Sequence, residues 1–213
     1  GMHNHCPDRS VLGILNKDGA FAEYITLPVN NLHIIPDTVS DDEAVFIEPL
    51  AAAFEVLEQI NILTSDRVCV LGDGKLGILA AQVLAMTDCE LVVAGRHEEK
   101  LSILEKMGIK TKLVTVSGNP PLCQRGVRGE DNKFDIVIDC TGSARGIETA
   151  LRIVKPLGKI VLKTTLAENA PIDVNQFVIN EITMIGSRCG PFLPAIKAIE
   201  EKKVDLLPLV SRK

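Results

Sequence analysis

Residues 68–79 read Val68-Cys69-Val70-Leu71-Gly72-Asp73-Gly74-Lys75-Leu76-Gly77-Ile78-Leu79. Four apolar residues without a polar interruption suit a strand that is buried on both faces. The next six residues, Gly72 to Gly77, fit G-x-G-x-x-G, and beyond them Leu76, Leu79, Ala80, Val83 and Leu84 recur at helical spacing. By itself the hexapeptide says little; between a strand and a helix it signals a dinucleotide site. Gly72 permits the tight turn, Gly74 lets a pyrophosphate approach the backbone, and Gly77 lets the helix close on the strand. Lys75 and Leu76 open that helix, whose unpaired N–H groups and dipole favour an anion. The alternative is a glycine turn that holds no ligand.

Outward from this turn the same alternation continues. Further apolar runs are Leu91–Ala94, Leu113-Val114, Ile136–Ile138, Ile160–Leu162 and Ile182–Ile185, and Ile147, Ala150, Leu151 and Val154 follow helical spacing. Strands alternating with helices predict an α/β fold with a doubly wound parallel sheet of the Rossmann, dinucleotide-binding type. The Gly-, Pro- and charge-rich stretch from Ser117 to Lys133 reads as an exposed, mobile loop. Toward the N-terminus, Phe21–Leu27 alternates in part and ends at Pro28, which predicts a strand, and Leu32–Ile35 is a second short run. Ser40 with Glu43 three residues on is a capping-box pattern. The apolar stretch from Ala44 to Leu57 suits helix, with Pro49 marking a break or the first turn of a new one.

The cofactor is read at the end of the second strand. A site for NAD places Asp or Glu there, about 20 residues after the glycines, to bond the ribose hydroxyls. Here the strand ends Val93-Ala94-Gly95-Arg96-His97, with no acid. Gly95 leaves room where a carboxylate would repel a 2′-phosphate, Arg96 offers a planar donor fork, and Lys100 adds a second charge one turn on. NADP is therefore favoured, with NAD as the alternative. Against this, Arg96 also fits a solvated surface charge.

Composition excludes several classes. The chain has 213 residues, 46% of them hydrophobic and 24% charged, with a formal net charge of −5, no Trp and one Tyr. That is the balance of a folded globular protein, its acidity argues against nucleic acid, and it lacks the aromatics of a base-stacking platform. No stretch reaches the roughly 18 apolar residues of a membrane span. The six cysteines form no C-x-x-C pair, and Cys69 and Cys140 sit in apolar runs. They read as reduced thiols of a cytoplasmic protein.

Gly19-Ala20-Phe21-Ala22-Glu23-Tyr24, Leu32–Asp42, Ile47-Glu48-Pro49-Leu50-Ala51, the glycine turn and Asp139-Cys140-Thr141-Gly142 occur in this order. Together they resemble the zinc-dependent medium-chain alcohol and polyol dehydrogenases, in the branch of sorbitol dehydrogenase. The resemblance implies hydride transfer between an alcohol or carbonyl substrate and NAD(P), in a fold that joins a barrel-like catalytic domain to a cofactor domain. It implies that residues 1–65 are a remnant of the catalytic domain with its connecting helices, and residues 66–213 the dinucleotide-binding domain. Glu48 would lie at the catalytic zinc, as ligand or bonded to its water; as a residue alone it equally suits a helix N-terminus. Cys6 would be the fourth ligand of a structural zinc site, and one thiolate cannot close such a site. Zinc is thus expected in the full-length family and not fully bound by this chain.

Thr141 and Gly142 would flank the cofactor, although Thr141 also suits a plain strand-to-helix turn. Lys163 ends a strand and either faces the cleft or is solvated. Ile182–Gly190 resembles the edge strand through which family members pair, which implies a homodimer. Two readings of other classes stand beside this one. The chain could be a dinucleotide-binding, dimerising module without catalysis, because the Cys and His zinc ligands are not in it. A zinc-independent quinone reductase of the same superfamily is disfavoured by Cys6 and the Glu48-Pro49 segment.

Overall fold

In the computed structural model, residues 5–114, 133–166, 169 and 171–210 are described. The strands are β1 (Arg67–Leu71), β2 (Glu90–Gly95), β3 (Lys110–Leu113), β4 (Phe134–Asp139), β5 (Val154–Leu162) and β6 (Thr183–Gly186). They form one sheet in the order β3-β2-β1-β4-β5-β6, and every neighbouring pair is parallel. The chain runs outward from β1 to β3 and then returns to lay β4 on the other side of β1. That reversal opens a crevice at the carboxyl ends of β1 and β4, where ligands of such sheets bind.

Continuous apolar runs make the inner strands because both faces are covered. Val68 and Val70 of β1 belong to one core with α2 (Ile47–Gln59), α3 (Lys75–Ala85), α4 (Glu98–Lys106) and α7 (Phe192–Glu200). Cys69 and Leu71 point to the opposite core, with Ile147, Ala150 and Leu151 of α5 (Ala144–Ile153). The two-residue period of a strand sends alternate side chains to opposite faces. Phe177 of the short α6 (Val174–Asn180) packs on that second core as well. The outer strands depart from the expectation of burial on both faces. β3 is made mostly of polar residues and β6 is partly exposed, because among the described residues each has a strand on one side only.

Contacts divide the chain into two units, 1–36 and 37–213. The first holds an isolated bridge between Val11 and Leu15 and a 3₁₀ turn at Val29–Asn31. The strand expected at Phe21–Leu27 is not formed. Phe21 and Tyr24 are exposed, and the segment pairs with no strand among the described residues; alternation without a partner edge cannot make a sheet.

In the second unit, α1 (Asp41–Ala44) begins where expected. The Glu43 carboxylate accepts from the Ser40 amide at 3.0 Å and from its hydroxyl at 2.6 Å. Pro49 lies in the first turn of α2, where its missing N–H costs no helical bond. Leu50, Ala51, Ala53 and Val56 of α2 are buried, and the helix packs on α3 and α7. The buried Gln82 of α3 donates to the Asp205 carbonyl and accepts from its N–H, tying the helix to the C-terminal segment. Of the expected loop from Ser117 to Lys133, all but Lys133 lies outside the described residues.

Candidate nucleotide site

The glycine turn sits at the crevice. Gly72 has φ +111°, a left-handed conformation, and a Cβ there would lie 2.7 Å from the Cys140 carbonyl oxygen. A Cβ on Gly77 would lie 2.1 Å from the Gly72 carbonyl oxygen, so the helix can approach the turn this closely only without one. Gly74 differs: an added Cβ would meet nothing within 4 Å. Gly74 is also the N-cap of α3 and makes no side-chain cap. The helix therefore opens with amides that its own turns leave unbonded and with the positive end of its dipole. Lys75 and Leu76 begin the helix, and Lys75 is exposed. An open glycine turn at a helix N-terminus beside a cation is the kind of arrangement that suits a pyrophosphate.

At the tip of β2 the structure brings together residues that are distant in sequence. The Asp73 carboxylate is buried, and its Oδ2 accepts from the Arg96 and His97 amides at 2.6 Å each. Its two oxygens lie 3.1 and 3.0 Å from Nδ1 of His97. Burial alone would raise this carboxyl, but the His97 and Arg96 donors outweigh it and hold it below the ordinary value. A Cβ on Gly95 would lie 2.6 Å from Asp73 Cβ and Oδ2. Gly95 therefore leaves room for Asp73 itself. Arg96 is exposed and Lys100 half-buried at the start of α4.

The carboxyl end of β4 forms the other wall. Asp139 is wholly buried; its Oδ1 accepts from the Thr141 amide at 3.0 Å, and its Oδ2 has no hydrogen-bond partner among the described residues. Burial pushes this carboxyl up, against the pull of the Thr141 and Thr164 donors. The Thr141 hydroxyl accepts from the Ser143 amide at 3.2 Å within the turn into α5. Gly142 has φ +64° and its amide donates to the Thr164 hydroxyl at 3.0 Å.

Lys163, next to this wall, is buried rather than solvated. Its Nζ donates to the Ala52 carbonyl, to Ser187 Oγ at 3.0 Å and to the Arg188 carbonyl at 3.3 Å, tying α2 and the segment after β6 to the end of β5. Burial pushes its ammonium below the ordinary value, against the pull of the nearby Glu55 and Glu48 carboxylates.

The expected metal residues do not assemble. Glu48 is exposed in the first turn of α2, and Cys6 is exposed in the first unit. Among the described residues no group of three or more His, Cys, Asp and Glu could hold a metal ion. The described residues do not fit a zinc site, and no step through zinc follows from them.

The candidate site gathers the glycines, Lys75, Leu76, Arg96, Lys100, Thr141 and Gly142 read from the sequence, with Lys163, read there as either facing the cleft or solvated, buried beside it, together with Asp73 and Asp139, which the sequence did not single out as site residues. Asp73 was visible only as a spacer inside the glycine motif, and Asp139 only as the polar end of an apolar run.

A family model described as "Zinc-binding dehydrogenase" matches residues 76–206. The chain is 27% identical over 180 residues to an L-threonine 3-dehydrogenase of Anaeromyxobacter dehalogenans, covering 84% of this chain and 52% of that protein. It is 27% identical over 218 residues to a sorbitol dehydrogenase of Halalkalibacterium halodurans, covering 99% and 63%. The chain therefore spans about half to two thirds of the length of these relatives. A protein of Sinorhizobium meliloti 1021 described as a zinc-binding dehydrogenase, solved bound to NADP, matches with TM-score 0.82 and 25% identity over 95% of this chain and 60% of that one.

Proposed function

The chain belongs to the zinc-binding dehydrogenase family, and from that premise we propose that it supplies the nicotinamide-dinucleotide site of an alcohol or polyol dehydrogenase, with NADP favoured over NAD. One observation carries the reading: the open space over Gly74 at the N-terminus of α3, beside the exposed Lys75. Backbone N–H groups of Gly74, Lys75 and Leu76 would hold the pyrophosphate, and Arg96 and Lys100 would receive the 2′-phosphate. Asp139, Thr141, Gly142 and Thr164 would shape the wall nearer the reacting end. The bound cofactor supplies the carbon that takes or gives a hydride.

By name, the two curated relatives act on sorbitol and on L-threonine, which both carry a hydroxyl-bearing carbon. A small alcohol, or the carbonyl compound it becomes, is the corresponding substrate here. We assign the protein to the cytoplasm, a reading supported by the free thiols Cys69, Cys89, Cys140 and Cys189. Among the described residues no helix is long and apolar enough to cross a membrane.

A homodimer paired through β6 is also proposed. That strand forms one edge of the sheet, and α6, which leads into it, exposes Val174, Val178 and Ile179. Pairing would cover both the open edge and this apolar surface.

A second reading has its own support. With no metal-holding group among the described residues, the chain would bind nucleotide and dimerise without performing chemistry. Calorimetric titration of the purified chain with NADP+ and NAD+, followed by assays on a panel of alcohols, separates the two. Binding with NADP tighter and zinc-dependent turnover supports the dehydrogenase. Binding without turnover supports the module, and no binding of either nucleotide refutes both.

A further inference from the structure

We propose that Asp73 is a specificity-determining residue of the nucleotide site: its carboxylate, delivered from the glycine turn, restrains the preference for NADP over NAD. The proposal rests on the reading of the crevice as a dinucleotide site. In dinucleotide-binding sheets the tip of the second strand meets the adenosine ribose, and an acid there selects the free 2′-hydroxyl. The β2 tip of this chain is Gly95, which has no side chain to offer. The space in which a side chain at 95 would begin is nevertheless filled, because a Cβ there would lie 2.6 Å from Asp73 Oδ2. An acid is thus present at the tip, but it comes from 22 positions earlier in the chain.

Two consequences follow from its partners. Asp73 Oδ2 takes up the Arg96 and His97 amides at 2.6 Å each. Those N–H groups are then not free for a phosphate at the same turn. The carboxylate also places a negative charge beside the backbone of Arg96, opposing part of that residue's attraction for a 2′-phosphate. A phosphate monoester carries about −1.5 to −2 at pH 7, whereas a ribose hydroxyl carries no charge. The repulsion therefore falls on NADP and spares NAD. His97, with Nδ1 3.0 Å from Oδ2, moderates it by hydrogen bonding to the same carboxylate. Arg96 and Lys100 attract the phosphate while Asp73 limits that attraction, so the balance of the three sets the ratio.

The test is the ratio of dissociation constants for NAD+ and NADP+, measured by calorimetry on the full chain at one ionic strength. Asp73→Asn removes the charge and keeps the shape. It is expected to raise the preference for NADP about tenfold, the scale for removing one charge near a multiply charged group in a half-buried site. Asp73→Ala, which also frees the two amides, is expected to raise it at least as far. His97→Ala leaves the turn's backbone bonds to Asp73 in place and removes the ring. It is expected to lower the preference, and it gives a readout that does not depend on either Asp73 variant folding.

A ratio that is unchanged or falls in the Asp73 variants overturns the proposal, as does a His97→Ala ratio that is unchanged or rises. Equal weakening of both cofactors would mean that Asp73 only braces the turn, and this too overturns it. A wild-type chain that prefers NAD, or an Arg96→Ala variant with an unchanged ratio, overturns the NADP reading alone, provided that Asp73→Asn still raises the ratio. Binding of neither nucleotide overturns both.

Discussion

Asp139 ends a strand of apolar residues, and its carboxyl is enclosed with Oδ2 lacking a hydrogen-bond partner among the described residues. Burial raises its pKa above the ordinary value. The folded chain therefore holds this proton more tightly than the unfolded chain, for which about 3.9 applies. Between that value and the raised one, folding takes up a proton, so stability falls as pH rises through the window. Above both values the cost is present in full. Asp139→Asn keeps the acceptor for the Thr141 amide and cannot ionise. In urea unfolding at pH 8 the variant is expected to be more stable than the wild type by about 1–3 kcal/mol, because a neutral amide costs less to enclose than a carboxylate. The advantage should shrink as pH falls toward 4, and a constant difference across that range would refute it. The sequence placed an acid at the end of β4; only the structure showed it to be buried there. The same holds for Asp73, which local sequence reads as a spacer and tertiary structure connects to Arg96 and His97.

The glycine turn and α3 separate two roles of glycine that the motif alone runs together. Gly77 serves packing, since a Cβ there would press on the Gly72 carbonyl oxygen. That atom is backbone and cannot move aside as a side chain can. Gly77→Ala is expected to cost about 3 kcal/mol or more in urea unfolding. Gly74 serves the ligand, since its φ of −70° suits any residue and nothing lies within 4 Å of an added Cβ. Gly74→Ala should keep stability within about 1 kcal/mol and weaken NADP+ binding about tenfold, by keeping the phosphate off the backbone. If both variants lose stability equally, the assignment of the two glycines is wrong. Among the strands, β1, β2, β4 and β5 were legible because burial on both faces writes itself as an apolar run. β3 was harder to place, because an edge position tolerates Lys110, Thr111 and Lys112. The strand expected at Phe21–Leu27 had the alternation of a strand, and alternation carries no information about whether a partner is present.

On the scale of the whole molecule, the six parallel strands among the described residues leave two open edges, β3 and β6. The β6 edge adjoins α6, whose Val174, Val178 and Ile179 are 66%, 73% and 78% exposed. Three large apolar side chains facing water on one short helix suit an interface better than a solvated face. Sedimentation at micromolar concentration is expected to show a dimer. Val178→Glu should convert it to a monomer while nucleotide affinity changes by less than about twofold, because the cradle at Gly74 lies on α3. A monomeric wild type would refute the pairing. The chemistry has a different status at this scale. The chain spans 52% and 63% of two relatives, and its described residues hold no metal-binding group. The resemblance suggested zinc through Glu48 and Cys6, and among the described residues neither belongs to a group of three or more His, Cys, Asp and Glu that could hold a metal ion.

The sequence alone determined the order of strands and helices, the glycine cradle and the cations at the end of β2. These depend on local patterns: apolar runs, helical spacing, and glycines that a turn requires. Tertiary structure alone decided which residues from distant positions share that site. Asp73 meets Arg96 and His97 because β1 and β2 lie side by side, and Lys163 is buried because α2 and the segment after β6 close over the end of β5. Such contacts are set by how the sheet stacks its strands and helices, which no spacing along the chain records.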